Sequence, residues 1–136
     1  MQGSTQPVAA SRTSLWAGRV LSALVLLLFA FTASFGVLKP DMAKQGFAHY
    51  GYPEGAMLRI IIVEVVCAVI YAIPQTSILG AILLTGYLGG AVSTHVRAGE
   101  PFFLALIVGV LVWLGLYLRD ERLRALVPLR SPKANP

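Results

Sequence analysis

The chain has 136 residues, 57% hydrophobic and 12% charged, with a mean hydropathy of +0.74 and a net charge of +5. Soluble domains carry roughly 45–50% apolar and about 25% charged residues, so this composition excludes an ordinary water-soluble globule. Its Lys and Arg residues flank apolar segments instead of forming a stripe interleaved with stacking aromatics, which excludes a nucleic-acid partner.

Four continuous apolar stretches, 15–38, 56–73, 78–96 and 102–118, predict an all-α fold, an integral membrane four-helix bundle embedded in the lipid bilayer. A helix rises ~1.5 Å per residue and a bilayer core is ~30 Å thick, so about 20 residues cross it. Membrane strands are excluded because the apolar residues do not alternate with polar ones. Residues 1–14 are small and polar and read as a disordered cytoplasmic N-terminus; 15–118 form the transmembrane domain. The first stretch also has marks of a signal peptide, with Arg12 and Arg19 before it and Ala33 and Ser34 late in it. Its apolar run continues to Leu38, long enough to span, and retention as a helix is expected.

Lys39-Pro40 ends the first helix. The following loop predicts a short interfacial helix capped by Asp41 and closed at Gly51 and Pro53, with Phe47, Tyr50 and Tyr52 at headgroup level. Residues 74–77 and 97–101 are tight turns. In the third stretch Gly86, Gly90 and Ser93 fall within about 60° of one another, a small-residue face that predicts helix packing inside the bundle or between two copies. The fourth stretch has no ionisable group and is expected to be the most lipid-exposed. Residues 119–136 form a basic cytoplasmic tail with room for a short surface helix up to Pro128. Lys and Arg concentrate at the two ends of the chain, so both termini are expected inside, and the 39–55 and 97–101 loops outside.

Glu64 stands near the centre of the second stretch. A charge in the middle of a membrane helix costs ~2.5–3.5 kcal/mol on insertion scales, so it marks a ligand site or a proton pathway. Cys67 and Tyr71 follow at i+3 and i+7 and share its face, which must turn inward. Arg59 is rotated ~140° from Glu64 and sits ~7.5 Å nearer the outer surface, a poor position for an on-helix ion pair. Lys39, Arg59, His95, Arg97 and Glu100 are expected at one outer level, with Thr32, Ser34, Tyr87 and Thr94 lining a path down to Glu64. The ligand or proton-relay candidates are therefore Glu64, Lys39, His95, Arg59, Tyr87 and Tyr71. No catalytic constellation and no metal set emerges: Cys67 is the one cysteine, and a haem between His49 and His95 would need a loop residue to close it.

The run SFGVLKP at the end of the first helix resembles the DoxX-like membrane proteins. So do GYP before the second helix, an acid within it, and IPQTSILGAILLTGYLGGAVSTHVRAGEPFF after it. The resemblance covers residues 20–118 and implies a four-helix bundle in a bacterial inner or plasma membrane, with Lys39, Glu64 and His95 as the matching polar positions. Some relatives are subunits associated with sulfur-compound or thiol oxidation and with quinone, and others are assembly helpers. The chain has no redox hardware of its own, so the resemblance implies a non-catalytic or accessory subunit. Such a subunit would bind a lipidic or quinone-like molecule near Glu64 and serve a membrane or extracytoplasmic redox partner. The alternatives are an assembly or interaction protein using the Gly86/Gly90 face, as a homo-oligomer or with another protein, and a small proton-coupled exporter.

Overall fold

The computed structural model describes residues 10–127. Six helices follow one another, α1 Arg12–Leu38, α2 Pro40–His49, α3 Ala56–Ala72, α4 Ser77–Ala98, α5 Phe103–Arg119 and α6 Glu121–Leu126, with no strand among the described residues. Ser11 caps α1 by accepting the Ser14 N–H at 3.1 Å, so residues 12–14, expected to be disordered, are helical. Residues 1–9, and the tail from 128, lie outside the described residues. Pro40 ends α1 because it has no N–H to donate, and the same property suits it to the first position of α2. Lys39, not Asp41, therefore occupies the cap of α2, and Asp41 sits in the first turn, where its charge suits the helix dipole. Asp120 caps α6 through the N–H groups of Arg122 and Leu123, which places the expected short helix in the tail.

The four long helices pack in a closed cycle, α1 against α3 and α5, and α4 against α3 and α5. At one end α2 leans on α1 and α3; at the other α6 folds onto α5. Each long helix buries one narrow stripe. On α1 this is Gly18, Ser22, Val25, Phe29, Ala33 and Gly36, every third or fourth residue. The outward faces expose large apolar side chains such as Leu27, Phe31, Leu104 and Val110. Apolar surface that extensive marks contact with a membrane or with other proteins. α1 and α4 are long and apolar enough to cross a membrane. α5 is no more peripheral than the others, contrary to the expectation: Val112 and Leu116 are completely buried between its two neighbours. Lack of charge did not report exposure, because the inner partners are equally apolar.

Tyr71 joins all four long helices. Its side chain is wholly buried; the hydroxyl donates to Val112 O of α5 at 2.9 Å and pairs with Ser22 Oγ of α1 at 3.0 Å. Its backbone abuts Gly80 of α4, where an added Cβ would come within 2.3 Å of Tyr71 N and Cα. Gly18 and Gly115 allow the same close approach between α1 and α5. Gly86 and Gly90 behave differently. A Cβ at either would meet nothing within 4 Å, and Ser93 is exposed, so the predicted packing face makes no close helix contact among the described residues. The close contacts fall on glycines outside that pattern.

Gly80→Ala is expected to destabilise the fold by about 1–3 kcal/mol through overpacking, whereas Gly86→Ala is expected to be neutral within about 1 kcal/mol. Thermal unfolding of both variants in mild detergent checks the contrast.

Candidate functional site

α3 turns Glu64 inward on the same stripe as Ile61, Cys67 and Tyr71, and the residue is only 4% exposed. Its partners come from two other helices. Thr32 of α1 donates its hydroxyl to Glu64 Oε1, and Tyr87 of α4, packed edge-on against Phe29 at 6.1 Å, brings its hydroxyl towards the same carboxyl. The single ion pair among the described residues lies elsewhere, so the Glu64 carboxyl has no cation within ion-pair distance there.

A cavity of about 540 Å³ opens from Glu64 towards the α2 end of the molecule. Thr32, Phe35 and Gly36 of α1 and Ile60 and Ile61 of α3 form two walls. Gly86, Tyr87, Gly90 and Ala91 of α4 form a third, and α2 contributes Met42, Ala43, Gly46 and Phe47. Tyr50, Tyr52, Thr94 and His95 complete the rim. The missing side chains of Gly86 and Gly90 leave room that a larger residue would fill. Most of the lining is apolar, with the polar groups gathered at the floor and the rim.

The sequence-derived candidates separate on this geometry. Glu64, Tyr87 and His95 line the cavity, as do Gly86 and Gly90. Lys39 and Arg59 are exposed and do not line it. Tyr71 is also outside it, with its hydroxyl committed to Ser22 and Val112. Thr32 and Thr94 take the places expected of them on the path, whereas Ser34 is exposed on the far side of α1. The contribution of α2 was missed. Its aromatic residues read as headgroup anchors, and only the packing of α2 on α1 and α3 turns Phe47 and Met42 into a wall.

A polar clasp ties the 49–52 segment to the end of α4. Tyr50 donates its phenol to Glu100 Oε2 at 2.7 Å, and His49 Nε2 lies 2.9 Å from Glu100 Oε1. Arg97 donates to Tyr50 O at 3.1 Å, and Tyr52 pairs with Thr94 at 2.7 Å. The Tyr50 ring packs on both His49 and His95, 5.3 Å from each. His49 Nε2 is held by Glu100, and His95 Nδ1 lies 2.9 Å from Ala91 O. Among the described residues no three His, Cys, Asp or Glu side chains gather into a metal-binding group.

The sequence profile of the DoxX-like family matches residues 20–116. The chain belongs to the DoxX-like family. No curated protein and no solved structure gives a significant match. The matched span runs from α1 into α5 and contains every residue that lines the Glu64 cavity. Family membership together with the two long apolar helices marks this DoxX-like chain as a membrane protein.

In the clasp, the hydrogen bond from Tyr50, and next the one from His49, hold the Glu100 carboxyl below its ordinary 4.5. The same bond pushes the Tyr50 phenol above its ordinary 10.0. A depressed carboxylate stabilises the fold above its unfolded pKa, and that contribution is lost as pH falls through the folded value. A raised phenol stabilises below its unfolded pKa, and that contribution is lost as pH rises through the folded one. The clasp is thus strongest between the two. Acidification below the Glu100 range, or Glu100→Ala at neutral pH, is expected to raise amide hydrogen exchange across α2 while leaving the Tyr71 end of α3 protected. Unchanged exchange in α2 would mean that the clasp does not hold it.

Proposed function

We propose that this DoxX-like protein spans the membrane as a four-helix bundle with both termini in the cytoplasm. In this reading it binds a neutral lipidic or quinone-like molecule beside Glu64 and acts as a non-catalytic or accessory subunit for a redox partner. The span lengths support the bundle: α3 and α5, with 17 residues each, are at the short end of the ~17–25 that cross a bilayer. The Lys and Arg bias supports the orientation, which places the mouth of the Glu64 cavity on the outer side.

The observation that carries the ligand class is a buried carboxyl with hydroxyl partners and no cation, at the floor of a mostly apolar cavity. Such a floor gives no counter-charge to an anion. It can donate a hydrogen bond to a ligand carbonyl when protonated and accept one from a hydroxyl when ionised. Volumes of ~300–1,000 Å³ with apolar walls and few polar groups are usual for small-molecule sites.

The test is to purify the wild-type protein, Glu64→Gln and Gly90→Leu in mild detergent and identify the extracted small molecules by mass spectrometry. A lipidic or quinone-type molecule is expected with the wild type. Glu64→Gln should lower its occupancy about tenfold, as for loss of one hydrogen bond to an ionisable group, and Gly90→Leu should exclude it while the fold survives. Equal occupancy in all three, or none in the wild type, would overturn the reading. Proton-driven cation uptake into liposomes, lost in Glu64→Gln, would replace it with the exporter.

A further inference from the structure

A second concavity, of about 700 Å³, lies between α4 and α5 and is bounded at one end by Leu123 and Val127 of the α6 segment. It shares no lining residue with the Glu64 cavity. Its middle is hydrocarbon in character. Trp113 Nε1 donates to Thr85 Oγ1 at 2.8 Å and Thr85 donates to Ala81 O at 2.7 Å, so the polar groups there are already satisfied. The groove follows α5 from Ala105 to Tyr117, about 18 Å at ~1.5 Å per residue. That is a little over half of a ~30 Å bilayer core, the depth of one leaflet.

The α6 end has a different chemistry. Arg124 is half-buried, and its Nε and Nη2 donate to Tyr117 O and Leu118 O, the last carbonyls of α5. A guanidinium has five N–H donors, so fixing it by two contacts leaves others free. Arg122 is exposed on the same short helix beside the exposed Glu121, and Oδ1 of the nearby Asp120 accepts the backbone N–H groups of Arg122 and Leu123. An apolar channel of leaflet depth therefore ends at the short helix that carries Arg122 and Arg124, with Leu123 between them in its lining.

We infer that this groove binds an anionic phospholipid, with one acyl chain along α4 and α5 and the phosphate on Arg124 and Arg122. The inference rests on the chain lying in a bilayer and is independent of what the Glu64 cavity holds. A second copy of the chain is the less suitable occupant, because a self-contact here brings two sets of these arginines together.

Trp113 supplies a reporter inside the groove, and Trp16→Phe leaves it as the sole tryptophan. This protein is reconstituted in phosphatidylcholine vesicles containing a minor share of acyl-brominated phosphatidylglycerol or acyl-brominated phosphatidylcholine. Bromines quench a tryptophan they touch. The brominated anionic lipid is expected to quench about fivefold more effectively per molecule, as for one basic residue near an anionic headgroup. High salt should weaken that preference. Arg122→Gln with Arg124→Gln should remove it while quenching by the neutral lipid persists, and Arg124→Lys should keep most of it. Equal quenching by the two lipids in the Trp16→Phe protein overturns the headgroup assignment. No quenching by either overturns the site, because the groove is then covered by protein. Both of these results are obtained without any arginine variant, so a variant that fails to fold leaves the test intact.

Discussion

The helices are held in register by one buried side chain. The Tyr71 hydroxyl reaches Ser22 of α1 and Val112 of α5, while its own backbone is pressed against Gly80 of α4. Hydrophobic burial gives little preference between one helix and another where lipid is as apolar as leucine, so close backbone contact and polar pairing must fix the arrangement. Tyr71 provides both at a single level. The glycine contacts between α1 and α5 lie near the same end of the molecule, which makes it the tight end.

Glu64 lies seven residues earlier on α3, ~10 Å along the axis from that tight end. There Gly36 keeps α1 close to Ile61 of α3, but Gly86 and Gly90 leave space on α4. A carboxyl can be buried at this level because Thr32 and Tyr87 face it and because the cavity above it has a polar rim. The cavity, the clasp of the 49–52 segment on α4 and the wall supplied by α2 all follow from a bundle closed at the Tyr71 end and parted at the other.

Much of this was legible in the chain. The apolar runs placed the long helices to within three residues at each end, and the i, i+3, i+7 pattern placed Glu64, Cys67 and Tyr71 on one buried stripe. Thr32, Tyr87, Thr94 and His95, grouped from the sequence along a route to Glu64, all line the cavity above it. Depth along a helix is countable, which is why residues at matching levels could be grouped. Azimuth is not. Lys39 and Arg59 share the outer level with His95, yet they point away from the cavity. Tyr71 shares a stripe with Glu64, yet it serves a different level.

By itself the sequence determined a membrane composition, the order and limits of the helices, and the inward face of α3, because these depend on residues in one helix. Only the tertiary structure decided which glycines are contacts and which are space, that Tyr71 holds the helices together instead of lining a site, and that Glu64 faces hydroxyls and no cation. Those outcomes depend on which side chain of another helix arrives opposite. Helical periodicity gives the direction a residue points and carries no information about what it meets.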